Sequence, residues 1–156
     1  MVDGVDLEAL ERWMDGQGLG EGPIADAITL AGGTQNILLR FSRSGRSYVL
    51  RRPPPVLRAN SNETMRREAR VLAALKGSNV PHPELIAACP EEDVIGASFY
   101  LMEPIEGFNA TQGLPALHAG DAAIRHRMGL AMVEAIAALS RVDYRAVGLE
   151  GFGKLD

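Results

Sequence analysis

The stretch 30-LAGGTQNILLRFSRSGRSYVLRRPPP-55 places two β-rich runs after a pair of adjacent glycines and joins them through Ser44-Gly45-Arg46. The runs 36-NILLRFSR-43 and 47-SYVLRRP-53 are dominated by branched, aromatic and long apolar residues, which favour strands. A Ser-Gly turn between them reads as a hairpin, because glycine takes the positive φ that tight hairpin turns require. Pro53, Pro54 and Pro55 have no N–H to give a sheet and end the second run. Alternation along that run puts Val49 and Arg51 on one face and Tyr48, Leu50 and Arg52 on the other. Gly32-Gly33 carries two readings: an ordinary turn, or a backbone that closes on a phosphate. Arg40, Arg43, Arg46 and Arg52 read as surface charge.

Outward from this hairpin, 6-DLEALERWMD-15 has the spacing of an amphipathic helix stopped by Gly16 and Gly18, and 27-AITLAGG-33 is a short strand running into the glycines. On the other side, 60-NSNETMRREARVLAALKG-77 is a helix, with Asn60 or Ser61 as cap, Glu63 in its first turn and Gly77 after its end. The runs 84-ELIAAC-89 and 98-SFYLMEPI-105 read as strands flanking an acidic turn, and 121-DAAIRHRMGLAMVEAIAALSRV-142 as a long helix. Its apolar stripe is expected along Ile124, Met128, Met132, Ala135 and Leu139. Hairpin-linked strands without βαβ crossovers predict a mostly antiparallel, five-stranded sheet in an α+β fold.

The 156 residues carry 16 basic and 20 acidic side chains, a net charge of −4. Residues 40–70 nonetheless hold nine arginines against Glu63 and Glu68, a local balance of +7 that leaves −11 on the remainder. Such a block suggests either an anionic ligand or a solvated basic face. A sequence pI of about 5.4, little lysine and aromatics that are not interleaved with the arginines as stacking platforms would require argue against nucleic acid. No run reaches the roughly 18 apolar residues of a membrane span. The N-terminus lacks the layout of a signal peptide, so a cytoplasmic protein is expected. A lone Cys89 allows no internal disulfide and offers no metal signature.

Glu68 falls on the apolar stripe of its helix near Met65, Leu72 and Leu75, with no basic residue three or four positions away. A carboxylate there either sits at the stripe's edge and reaches water or takes a cation from another element. Arg51 is the natural donor of that cation, the alternative being an arginine that frays into water from a strand end before proline.

These pieces, in this order and followed by V-P-H-P and V-I-G-A-S-F-Y-L-M-E-P-I-E-G, resemble the N-terminal lobe of aminoglycoside phosphotransferase-like kinases. The branch most resembled is the one found beside, or fused to, acyl-CoA dehydrogenases. The similarity covers about residues 24–154. It implies a protein-kinase-like N-lobe over 24–107 with an αC-type helix, preceded by an N-terminal helix and loop over 1–23. Residues 108–156 would be the linker and first helix of a truncated C-lobe. By the same resemblance, Gly32, Gly33, Thr34, Gln35 and Asn36 match the loop over the ATP phosphates. Arg51 stands where the family usually has a lysine on those phosphates, and Glu68 is its helix partner. Val49 would pack on adenine, and Met102 opens the hinge, where backbone groups of Glu103 and Ile105 would bond the adenine edge.

The family's catalytic loop, H-G-D-x-x-x-x-N, has no counterpart here: His82 is followed by Pro-Glu, His118 by Ala-Gly and His126 by Arg-Met. No catalytic or metal-binding residue is therefore assigned, and Mg²⁺ is expected only with the missing C-lobe. The leading expectation is an ATP-binding lobe of a small-molecule phosphotransferase acting on a hydroxyl acceptor, with this chain inactive alone. The alternatives are a non-catalytic nucleotide-binding module and a homodimer formed through the 121–142 helix.

Overall fold

The computed structural model describes residues 1–30 and 36–153, which divide into two compact units. The first unit comprises Met1–Ala73 and Pro83–Pro104. It contains helix α1 (Leu7–Gly16), strands β1 (Ala25–Thr29), β2 (Ile37–Arg43) and β3 (Arg46–Arg52), most of helix α2 (Ser61–Leu75), and strands β4 (Leu85–Cys89) and β5 (Phe99–Met102). The strands form one five-stranded sheet in the order β1-β2-β3-β5-β4, every neighbouring pair antiparallel. The α+β class and the sheet are thus as the sequence predicts.

The β2–β3 hairpin closes tightly. Arg43 pairs with Arg46 across a two-residue turn in which Ser44 and Gly45 both take positive φ, +50° and +75°. Two left-handed residues match the twist of the strands they connect. From this register the faces follow. Leu39 opposes Leu50, Phe41 opposes Tyr48, and Leu50 opposes Leu101. All five point to the side covered by α1, where Val5, Leu10 and Met14 are fully buried against them. Trp13 of α1 meets Phe99 edge-on at 4.8 Å. On the opposite face, Arg51 lies across from Tyr100, and Val49 from Met102. That face is covered by α2 through Met65 and Ala69 packed on Tyr100.

Two arginines expected as surface charge are buried in the first unit. Arg43, 2% exposed, donates to the carbonyls of Gly22 (2.8 Å) and Glu11 (3.1 Å) and pairs with Asp15. Arg52, 3% exposed, donates to the carbonyls of Pro53, Gly4 and Ile95 at 3.0–3.2 Å. Burial pulls the Arg52 guanidinium's pKa downward, and the three carbonyls supply the acceptors that lost water would otherwise provide. Arg46 does stay exposed, beside Glu103 and over the Tyr48 ring.

The second unit comprises Ala74–His82 and the chain from Ile105 onward. Among the described residues it contains a 3₁₀ turn (Ala110–Gln112), the short helix α3 (Ala116–Gly120) and the long helix α4 (Ala122–Ser140). Asp121 caps α4, its Oδ1 accepting from the N–H groups of Ala123 and Ile124. The expected stripe is only partly formed: Ile124, Met128 and Ala135 are half-buried, while Met132 and Leu139, with Leu130, Val133 and Ile136, are exposed. Among the described residues, no helix is long and apolar enough to cross a membrane.

Candidate functional site

Arg51 and Glu68 meet as expected, and they meet as a fork. The Arg51 Nε donates to Glu68 Oε2 at 2.8 Å and its Nη2 donates to Oε1 at 3.1 Å. This bidentate, charge-assisted geometry fixes the orientation of the two groups, while side-chain exposures of 28% and 31% hold its contribution to stability to about 1 kcal/mol. A third residue joins them. The Tyr100 hydroxyl donates to Glu68 Oε2 at 3.0 Å. Burial, reinforced by the Glu68 charge, pushes the Tyr100 phenol's pKa well up, so at neutral pH it keeps its proton and remains a donor. The sheet register explains the convergence: Arg51 and Tyr100 are direct cross-strand partners, and α2 lays Glu68 over both.

Beside this triad lies a cleft of about 410 Å³ lined by Asn36, Arg51, Arg58, Asn60, Thr64 and Glu68, among others. Arg58 is exposed there and, among the described residues, pairs with no carboxylate. With Glu68 engaged by Arg51 and Tyr100, the cleft is dominated by cationic and hydrogen-bonding groups. Such a lining suits an anion with several oxygens.

The remaining candidates distribute as follows. Asn36 lines the cleft, whereas Gly32, Gly33, Thr34 and Gln35 lie outside the described residues. Val49 sits on the same sheet face as Arg51 and opposite Met102, but it is only 4% exposed, and neither residue lines the cleft. The Glu103 N–H is already committed to the Glu84 carbonyl at 3.0 Å, which leaves its carbonyl as the backbone group for a ligand. Ile105 is exposed and belongs to the second unit. Tyr100 and Arg58 did not stand out in the sequence. Tyr100 sits inside an apolar run, and Arg58 in a segment without periodicity. Among the described residues, no three His, Cys, Asp or Glu side chains gather where they could hold a metal ion.

The model of the phosphotransferase enzyme family, APH, matches residues 26–156. The chain belongs to this family. It is 34% identical to a candidate aminoglycoside phosphotransferase from Ralstonia eutropha, whose crystal structure superposes with a TM-score of 0.74 over 96% of this chain and 42% of the other. The ternary complex of a thermostable APH(4)-Ia mutant with AMP-PNP and hygromycin B shares the fold, at 18% identity, a TM-score of 0.56, and coverage of 88% of this chain and 40% of that one. Among curated proteins, acyl-CoA dehydrogenase family member 10 of Mus musculus is 30% identical over 94% of this chain. The phosphotransferase-family chain spans only 14% of that relative's length, and 19% of acyl-CoA dehydrogenase family member 11 of Homo sapiens.

Proposed function

We propose that this chain forms the ATP-binding lobe of a small-molecule phosphotransferase. The observation that carries the reading is the Arg51–Glu68 fork opening onto the cleft that Asn36 also lines. In this reading Arg51 takes the phosphates and Glu68 holds it in place. By the resemblance to the family, Gly32, Gly33, Thr34, Gln35 and Asn36 are assigned to the ATP phosphates. Val49 and Met102 are assigned to the adenine ring and the backbone of Glu103 to its edge. The two guanidiniums at Arg51 and Arg58 beside one cleft suit the phosphates of a nucleoside polyphosphate. AMP-PNP in the APH(4)-Ia complex supports the same ligand class.

The reaction of the whole protein would move the γ-phosphoryl group from ATP to an acceptor hydroxyl. A P–O bond forms to the acceptor, the β,γ-bridging P–O bond breaks, ADP leaves, and the hydroxyl proton passes to a base. These 156 residues contain no H-G-D-x-x-x-x-N segment to supply that base or the Mg²⁺ ligands. The chain alone is therefore expected to bind ATP without transferring phosphate. Calorimetric titration of ATP into the wild-type chain and into Arg51→Ala tests the site; equal heats would remove Arg51 from it. Measurable ATP turnover with a hydroxyl acceptor would overturn the inactive reading.

A second reading has one observation in its favour. Met132, Val133, Ile136 and Leu139 of α4 are all at least half exposed, a surface that suits a non-catalytic module assembling through α4. Size-exclusion chromatography with light scattering separates the readings, since a monomer at micromolar concentration excludes the homodimer.

A further inference from the structure

The apolar contact between α2 and the sheet is small: Met65 and Ala69, with Leu72, against Tyr100, Leu85 and Met102. Polar tethers do much of the positioning. Near the start of the helix, Asn62 Oδ1 accepts from the Ser98 N–H at 3.0 Å, and Arg66 binds the Pro90 carbonyl and Glu92 at 3.0 and 2.7 Å. At the cleft, the tether is Tyr100 on Glu68. Tyr100 is itself rigid, 4% exposed in β5 and packed beneath Met65. Glu68 is not, with about a third of its side chain open to water. A carboxylate so placed has several rotamers available, and only one presents both oxygens in the plane of the Arg51 guanidinium.

We propose that Tyr100 is a positioning residue for the phosphate site: its hydroxyl fixes Glu68 Oε2 so that the carboxylate meets Arg51 through both bonds before any ligand arrives. The inference rests on the nucleotide reading above. Without the hydroxyl, Glu68 samples other rotamers, Arg51 loses its second bond for part of the time, and a bound phosphate must order both side chains. Tyr100 contacts the ligand in neither case; it acts through Glu68.

The test is a double-mutant cycle read by calorimetry, with ATP and with adenosine as probes. Tyr100→Phe is expected to weaken ATP binding about three- to tenfold, and to leave adenosine binding unchanged, because adenosine has no phosphate for Arg51. In a Glu68→Gln background, Tyr100→Phe is expected to cost nothing further. A general loosening of the lobe would instead weaken both probes and add to the Glu68→Gln loss, which would overturn the proposal. So would wild-type ATP affinity in Tyr100→Phe. If the wild-type chain binds no ATP, the nucleotide reading falls and this inference with it; if it binds ATP and only the cycle fails, this inference falls alone.

Discussion

Arg51 and Arg52 are adjacent in sequence and leave β3 on opposite faces. Arg51 forks onto Glu68 beside the cleft, while Arg52 is sealed under three main-chain carbonyls, two of them from Gly4 and Ile95. The same substitution should therefore produce two different defects. Arg52→Ala strands those carbonyls in a dry site and should cost about 2–4 kcal/mol of unfolding free energy, measured by urea denaturation, with ATP affinity preserved wherever the chain is folded. Arg51→Ala should cost no more than about 1 kcal/mol, because the pair is partly solvated, yet reduce ATP affinity by about tenfold or more. Similar stability losses for both variants would contradict the assignment.

Much of the first unit was legible because its signals are local. The Ser44-Gly45 turn, the Gly77 that follows the end of α2 and the alternation of Val49 and Arg51 all lie within a few residues of what they determine, whereas helical spacing left Glu68 open between an edge position in water and a paired one. The burial of Arg43 and Arg52 was not legible. Apart from the Asp15 carboxylate and the adjacent Pro53 carbonyl, their partners are carbonyls of residues 4, 11, 22 and 95, brought in by the fold, and a carbonyl leaves no mark on the residue type that carries it. Tyr100 was hidden for a related reason, since its ring belongs to the apolar pattern and only its oxygen belongs to the site. The five-residue α3 is shorter than the two turns over which helical periodicity can be read.

Cys89 is buried in the sheet core, and burial together with the nearby Glu91 pushes its thiol up to about 12. At pH 8 the folded chain should thus be inert to a thiol-selective disulfide reagent and react only after unfolding in urea. The sign for stability follows from the raised value. The contribution is complete below the ordinary thiol value near 9.0 and is lost as pH rises toward about 12. Cys89→Ala should flatten the fall of stability over that range. Rapid labelling of the native thiol at pH 8 would contradict its placement.

The hairpin turn is tied to a second loop. Ser44 Oγ accepts from the Glu21 N–H and donates to the Glu21 carbonyl, both at 2.8 Å, and a Cβ at Gly20 would come within 2.8 Å of that oxygen. Gly20 also holds φ +88°. Gly20→Ala combines strain with the loss of this contact and should cost about 1–3 kcal/mol. Ser44→Ala, which removes only the bonds, should cost about 1 kcal/mol. Thermal melts of the two variants that coincide would show that the backbone strain at Gly20 is negligible.

The family match begins at residue 26, but the sheet's back face is closed by residues before it. Val5, Leu10 and Met14 are fully buried against Leu39, Phe41, Leu50 and Leu101, and Trp13 packs on Phe99. Truncating side chains of this size in a core typically costs about 2–5 kcal/mol each, so losing all four, about 8–20 kcal/mol, is as large as the roughly 5–15 kcal/mol by which a domain is usually stable. A chain starting at residue 24 should therefore be insoluble or melt without a cooperative transition by circular dichroism. The single substitution Leu10→Ala, which leaves the rest of α1 in place, should retain a cooperative melt at lower temperature. A cooperative, wild-type-like melt of the shortened chain would show that α1 is dispensable and that the sheet closes its back face by other means.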